Sequence, residues 1–110
     1  MKNKRRVNFF IPKSLKQELE TRVLVDGYNR RNKSKWVIEA INYFLSFNNY
    51  PELVNYGDEF QGFDGVQCIV IPDEIGDKLN NAILEVRKKY PLLNGAQSKI
   101  IRTAIVQRLL

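Results

Sequence analysis

Two stretches of this chain repeat one order of residues, sixty positions apart. Arg5-Arg6-Val7-Asn8-Phe9-Phe10-Ile11-Pro12 leads to Leu15 and Leu19, and Val66-Gln67-Cys68-Ile69-Val70-Ile71-Pro72 leads to Ile75 and Leu79. Each copy then reaches a second apolar stretch opened by Ser-Lys, at Ser34-Lys35-Trp36-Val37 and at Ser98-Lys99-Ile100-Ile101. A unit of one short strand and two helices is too small to bury its own apolar face. Two copies therefore predict one shared core.

The periodicities place the elements. Residues 5–11 alternate, with Val7, Phe9 and Ile11 on one side and Arg6, Asn8 and Phe10 on the other, the period of a half-buried strand. Pro12 ends the strand and suits a helix start, where its missing N–H costs little. Leu15, Leu19, Val23 and Leu24 give residues 13–26 a helical face, and Asp26-Gly27 is a stop signal. A polar, arginine-rich turn follows from Tyr28 to Lys33. Ser34 reads as the N-cap of the next helix, whose apolar stripe is Trp36, Val37, Ala40, Ile41, Phe44 and Leu45. Asn48-Asn49-Tyr50-Pro51 ends that helix. In the second copy residues 66–71 are a strand. Ile75, Leu79, Ile83, Leu84 and Val86 face inward from the next helix, and Ile100, Ile101, Ala104, Ile105 and Leu109 from the last. Pro12 to Ser34 spans 22 positions and Pro72 to Ser98 spans 26, so the second turn is longer. The chain divides into a first repeat (1–49), an acidic, aromatic connector (50–65) and a second repeat (66–110), expected to form one compact pseudo-dimeric domain. The connector's Tyr56, Phe60 and Phe63 are expected to pack on the body, since a purely flexible linker is Gly/Ser-rich.

Charge is distributed unevenly. Of the net +6, residues 1–49 carry +7, residues 50–65 carry −4 and residues 66–110 carry +3. A basic first half suggests a polyanionic partner, against the plainer reading of a solvated basic surface. One cysteine and no histidine exclude an intrachain disulfide and a Cys/His zinc site. No metal or cofactor is expected. No apolar run approaches the ~20 residues that span a bilayer, and the charged start, Met1 to Arg6, lacks the apolar segment of a signal peptide. The protein reads as cytoplasmic.

Strand, helix, Gly-containing turn, helix, written twice, resembles the ribbon-helix-helix family of the Arc and methionine repressors, in a tandem form similar to regulators of archaeal viruses and plasmids. The resemblance implies a mostly α fold with a short two-stranded antiparallel β-ribbon: two β-α-α repeats joined by a linker and sharing one core, formed within one chain or by exchange between two. It also implies that outward ribbon side chains enter the major groove of double-stranded DNA. Counting back from Pro12, these are Phe10, Asn8 and Arg6. Arg bonds guanine and Asn bonds adenine bidentately. Phe10 either meets a thymine methyl or folds back inside. The equivalent positions of the second strand, Val70, Cys68 and Val66, lack strong hydrogen-bonding groups. That strand is either structural, a reader of thymine methyls, or a surface for another chain; a register slip would turn Gln67 outward. The expected result is asymmetry, with one half of the site read by Arg6 and Asn8 and the other chosen by contact shape.

The family clamps the DNA backbone at the start of the second helix, where free N–H groups favour an anion. The matching residues are Ser34-Lys35 and Ser98-Lys99, with Arg30, Arg31 and Lys33 beside the first pair. Plain helix capping by the two serines is compatible with that role. Lys2, Lys4 and Arg5 form either an arm on a phosphate or minor groove or a solvated tail. Trp36 reads as core, and Cys68 as a lone thiol.

The leading functional expectation is sequence-specific DNA binding by a transcriptional regulator, a repressor that occupies its operator. A plasmid-transfer accessory DNA-binding protein is a close variant. An antitoxin-like protein-interaction module, using the apolar second strand and the aromatic connector, is the alternative. No acid–base or nucleophile constellation is visible, so an enzyme is not expected. The acidic Glu52, Asp58, Glu59 and Asp64 should keep the connector away from phosphate, leaving Tyr56, Phe60 and Phe63 for self-association along an operator.

Overall fold

The alternating residues of the first stretch form strand β1 (Lys4–Ile11), and the nearly continuous apolar run of the second forms β2 (Gly65–Pro72). The computed structural model describes residues 3–56 and 65–110. The strands pair antiparallel within the chain, with Asn8 opposite Cys68 at the centre. The ribbon buries Val7, Phe9, Ile11, Ile69 and Ile71 on its inner face. Gln67 also turns inward, opposite Phe9, so the register that would bring it out does not occur.

Pro12 and Pro72 both adopt the extended backbone of a helix N-cap (φ −67°, ψ 149° and φ −64°, ψ 153°), which turns each strand directly into a helix. These are α1 (Lys13–Val25) and, after it in the chain, α2 (Lys33–Phe44), α3 (Tyr50–Tyr56), α4 (Asp73–Lys89) and α5 (Ala96–Leu109). The Tyr28 N–H bonds the Val23 carbonyl and the Gly27 N–H bonds the Leu24 carbonyl, the Schellman pattern, with Gly27 at φ +88°. A 3₁₀ turn, Arg30–Asn32, then leads into α2. The centre of the molecule is α2 packed on α5, through Trp36, Ile41, Phe44, Ile100, Ile101 and Ile105, all fully buried. The inner face of the ribbon lies over this pair, with α5 against β1 and α2 against β2.

The expected architecture of two β-α-α repeats and a linker is corrected by α3. The described residues form five helices and two strands, mostly helical (66%) around one two-stranded antiparallel sheet. Pro51, read as a stop, falls in the first turn of α3, where a missing N–H breaks no helical bond. Glu52 beside it suits the positive end of the helix. Pro51 and Val54, three apart, are buried as α3 packs on α4 and α5. The connector is thus partly structural, since its residues Tyr50–Tyr56 form a helix packed on the body.

Smaller expectations also change. Leu24 and Leu84 are exposed because the buried stripes Leu15, Leu19, Val23 of α1 and Ile75, Leu79, Ala82, Val86 of α4 already define the inner faces. Tyr56 does not pack on the body but is 78% exposed. Phe60, Phe63, Gly57, Gly62, Asp58, Glu59 and Asp64 lie outside the described residues, as does Lys2. Among the described residues no helix is long and apolar enough to cross a membrane.

Candidate nucleic-acid interface

The pleat decides which side chains the ribbon offers to solvent. Successive residues alternate faces, so burying Val7, Phe9 and Ile11 forces Arg6, Asn8 and Phe10 outward, and burying Ile69 and Ile71 does the same for Val70 and Cys68, with exposed Val66 beyond them. Pairing then sets them in a row: Arg6 opposite Val70, Asn8 opposite Cys68, Phe10 opposite Val66. Phe10 does not fold back inside; it is 54% exposed, and Val66 is 57% exposed.

Ser34 and Ser98 hold this ribbon rather than cap their helices. The N-cap positions of α2 and α5 are Asn32 and Gly95, and neither makes a side-chain cap bond. Ser34 is the second residue of α2 and Ser98 the third of α5, both in the first turn, and their hydroxyls reach the strand edges. The Phe10 N–H donates to Ser98 Oγ (3.1 Å) and the Val70 N–H to Ser34 Oγ (3.3 Å). The two serines occupy equivalent places in the two halves, each gripping one outer edge of the ribbon.

Around that shared pair the halves diverge. Gln97 Nε2 donates to the Asn8 carbonyl (2.8 Å) and Arg102 Nη1 to the Phe10 carbonyl (2.7 Å), so α5 grips β1 at three points. Counting from the serines, α2 has Lys33 and Ile38 at these places. Sequence reasoning missed Gln97 and Arg102. The signal was a cation inside an apolar run, Ile100 to Ile105, since a charge there needs a buried partner; Arg102 is 3% exposed.

Arg5 leaves the expected arm. It belongs to β1, where its guanidinium pairs with Asp73 (2.9 Å) and Asp77 (3.1 Å) at the start of α4. The Asp73 hydrogen bond outweighs desolvation and, helped by Asp77, raises the already high pKa of Arg5. The close approach depends on Gly76, where a Cβ would lie 2.6 Å from Arg5 Cζ. An isolated glycine in a helical pattern was the available clue. Lys4 also belongs to β1, opposite Pro72, with its side chain exposed on the outer side. Among the described residues Arg6, unlike Arg5, has no ion-pair partner.

Positive charge gathers at one helix start. Arg30 and Arg31 occupy the exposed turn before α2, followed by Lys33 and Lys35. Arg30 and Lys33 line an open groove of about 640 Å³ against α1, whose wall also holds Glu20 and Thr21. At the other helix start Lys99 is half-buried, and the preceding turn offers exposed Leu92 and Gly95, the latter at φ +66°. The structure thus sets Arg6, Asn8, Phe10, Val66, Cys68 and Val70 on one face, flanked by the two serine-bearing helix starts. No protein-family model, curated protein or solved structure matches this chain.

Proposed function

We propose that the protein is a sequence-specific double-stranded DNA-binding protein that lays the outer face of its ribbon in the major groove, and that it serves as a transcriptional regulator, a repressor occupying its operator. The observation that carries this reading is the outer face itself. Arg6 and Asn8, two side chains able to bond base edges bidentately, stand exposed on a strand whose backbone is fixed by α5. A two-stranded ribbon is narrow enough for the major groove. Lys35, Arg30 and Arg31 at the start of α2 supply cations for phosphates, which position the protein without selecting sequence.

The test is selection of bound duplexes from a random pool, for wild type and an Arg6→Ala/Asn8→Ala variant. The expected result is a defined motif that the variant loses, with roughly 1–3 kcal/mol for each good base contact. Binding that only fades as salt rises, without any motif, would overturn the reading. It would favour the second one, a protein-interaction module, for which the exposed Phe10, Val66 and Val70 are the supporting surface. As an independent check, bound duplex should protect Cys68, exposed at the ribbon's centre, from N-ethylmaleimide.

A further inference from the structure

The three outward pairs form a graded row rather than a symmetric one. Had the two strands carried the same outward residues, antiparallel pairing would make the ends of the ribbon identical and the favoured DNA palindromic. Here one end holds the cation Arg6 opposite Val70, the centre holds Asn8 opposite Cys68, and the other end holds Phe10 opposite Val66. Two strand residues advance about 6.7 Å, close to two base-pair steps of 3.4 Å. The ends of the row therefore lie about four base pairs apart.

The apolar end is held facing out. Both backbone groups of Phe10 are engaged, its N–H by Ser98 and its carbonyl by Arg102, so the strand cannot roll to hide the ring. Phe10 and Val66 together present an exposed apolar surface with no side-chain donor or acceptor. Among the four bases, the 5-methyl of thymine is the apolar group on the floor of the major groove.

We infer that the chain recognises a non-palindromic duplex in a single orientation, with guanine under Arg6 at one end, adenine under Asn8 at the centre, and thymine methyls under Phe10 and Val66 about four base pairs from the guanine. This rests on the ribbon being the DNA-binding face. It names what the second strand does there: Val66 completes a methyl-reading surface with Phe10.

Two random duplex pools test it, one made with thymidine and one with deoxyuridine in the randomised segment. Uracil pairs like thymine and lacks only the methyl, so nothing in the protein is altered. The thymidine pool should return an asymmetric motif with guanine at one end and thymine at the other. The deoxyuridine pool should keep the guanine end and lose preference at the other, with about fourfold weaker binding for each contacted methyl removed. Phe10→Ala should cause the same loss in the thymidine pool while leaving the guanine preference intact, and Arg6→Ala the converse. A palindromic motif would overturn the inference. So would identical motifs from both pools with Phe10→Ala unchanged, a result that assigns the apolar end to contact with protein. These outcomes leave ribbon binding standing; the absence of any motif from either pool removes the DNA reading itself, and this inference with it.

Discussion

β1 and β2 have the same length and the same pleat, yet they are held and equipped differently. β1 shows Arg6, Asn8 and Phe10 outward, and α5 grips its edge through Gln97, Ser98 and Arg102. β2 shows Val66, Cys68 and Val70, and α2 ties its edge through Ser34. The strand with hydrogen-bonding side chains is the one whose backbone is immobilised. Bidentate contacts need groups placed within a few tenths of an ångström, and an apolar contact does not. In the DNA-binding role we propose, this unequal anchoring would match the unequal demands of the two surfaces.

The largest effect expected from breaking this difference comes from Arg102. Arg102→Met keeps the aliphatic bulk and removes the donor to the Phe10 carbonyl. It should cost about 2–3 kcal/mol, because a charged hydrogen bond is lost and a part-buried acceptor is left unpaired. Urea unfolding checks it; a change below about 0.5 kcal/mol would mean that the carbonyl finds water instead. The serines give a finer comparison. Ser98→Ala should cost about 1 kcal/mol, and Ser34→Ala a few tenths, since Ser34 is less buried and its bond is longer. Amide exchange reads the same contrast residue by residue: Phe10 should exchange more slowly than Val70, and equal rates would erase the proposed difference in anchoring.

β2 is apolar at nearly every position, and only its pairing with β1 shows that Gln67 turns inward. The phase of β1 was legible because its residues alternate, and Val7, Phe9 and Ile11 are hidden together in one phase only. That is why the outward positions of Arg6, Asn8 and Phe10 could be named in advance. The helical stripes were legible for the same reason, to within a neighbour such as Leu24. What the residues did not disclose was partnership. A serine near a helix start looks the same whether it caps its own helix or holds a strand far away in sequence. Arg102, set in an apolar run, asks for a buried partner, but only β1 placed against α5 shows that this partner is the Phe10 carbonyl. Arg5 and Arg6 are adjacent and chemically identical, and only the pleat sends one to Asp73 and the other to solvent. Helix α3 was hidden by Pro51, which signals an end and also fits a beginning.

The Arg5 clasp is a further inequality between the ribbon's ends, because sixty positions after Arg5, at the start of β2, stands Gly65. Gly76→Ala isolates it. In a helix interior this change is worth about 1 kcal/mol of added stability, but here the new methyl must displace the guanidinium 2.6 Å away. In an Arg5→Ala background the full gain of about 1 kcal/mol is expected; with Arg5 present the gain should be visibly smaller. Thermal unfolding of the four combinations measures the coupling. Additive effects would show that Arg5 swings aside without loss and that the clasp does not hold the ribbon end.

The smallest expected effect concerns α3, which lies between the two strands in the chain. Lys89 Nζ donates to Glu52 Oε1 at 2.8 Å, joining α3 to the end of α4 that lies about 24 Å along the helix from Asp73 and the ribbon. The Lys89 hydrogen bond holds the Glu52 carboxyl below its ordinary 4.5, and Glu52 raises Lys89 above its ordinary 10.5. A depressed carboxyl adds stability that is complete above its unfolded value and lost as pH falls through the folded one. The wild type should therefore lose stability more steeply than Glu52→Gln below about pH 4.5, and the two curves should run parallel from about pH 6 to 9. Lys89 has the opposite sign: its contribution is complete below 10.5 and fades as pH rises through its raised folded value. Because the pair is far from the ribbon, DNA binding by Glu52→Gln should match wild type at neutral pH. A loss of affinity there would mean that α3 and the outer face of the ribbon are coupled through α4.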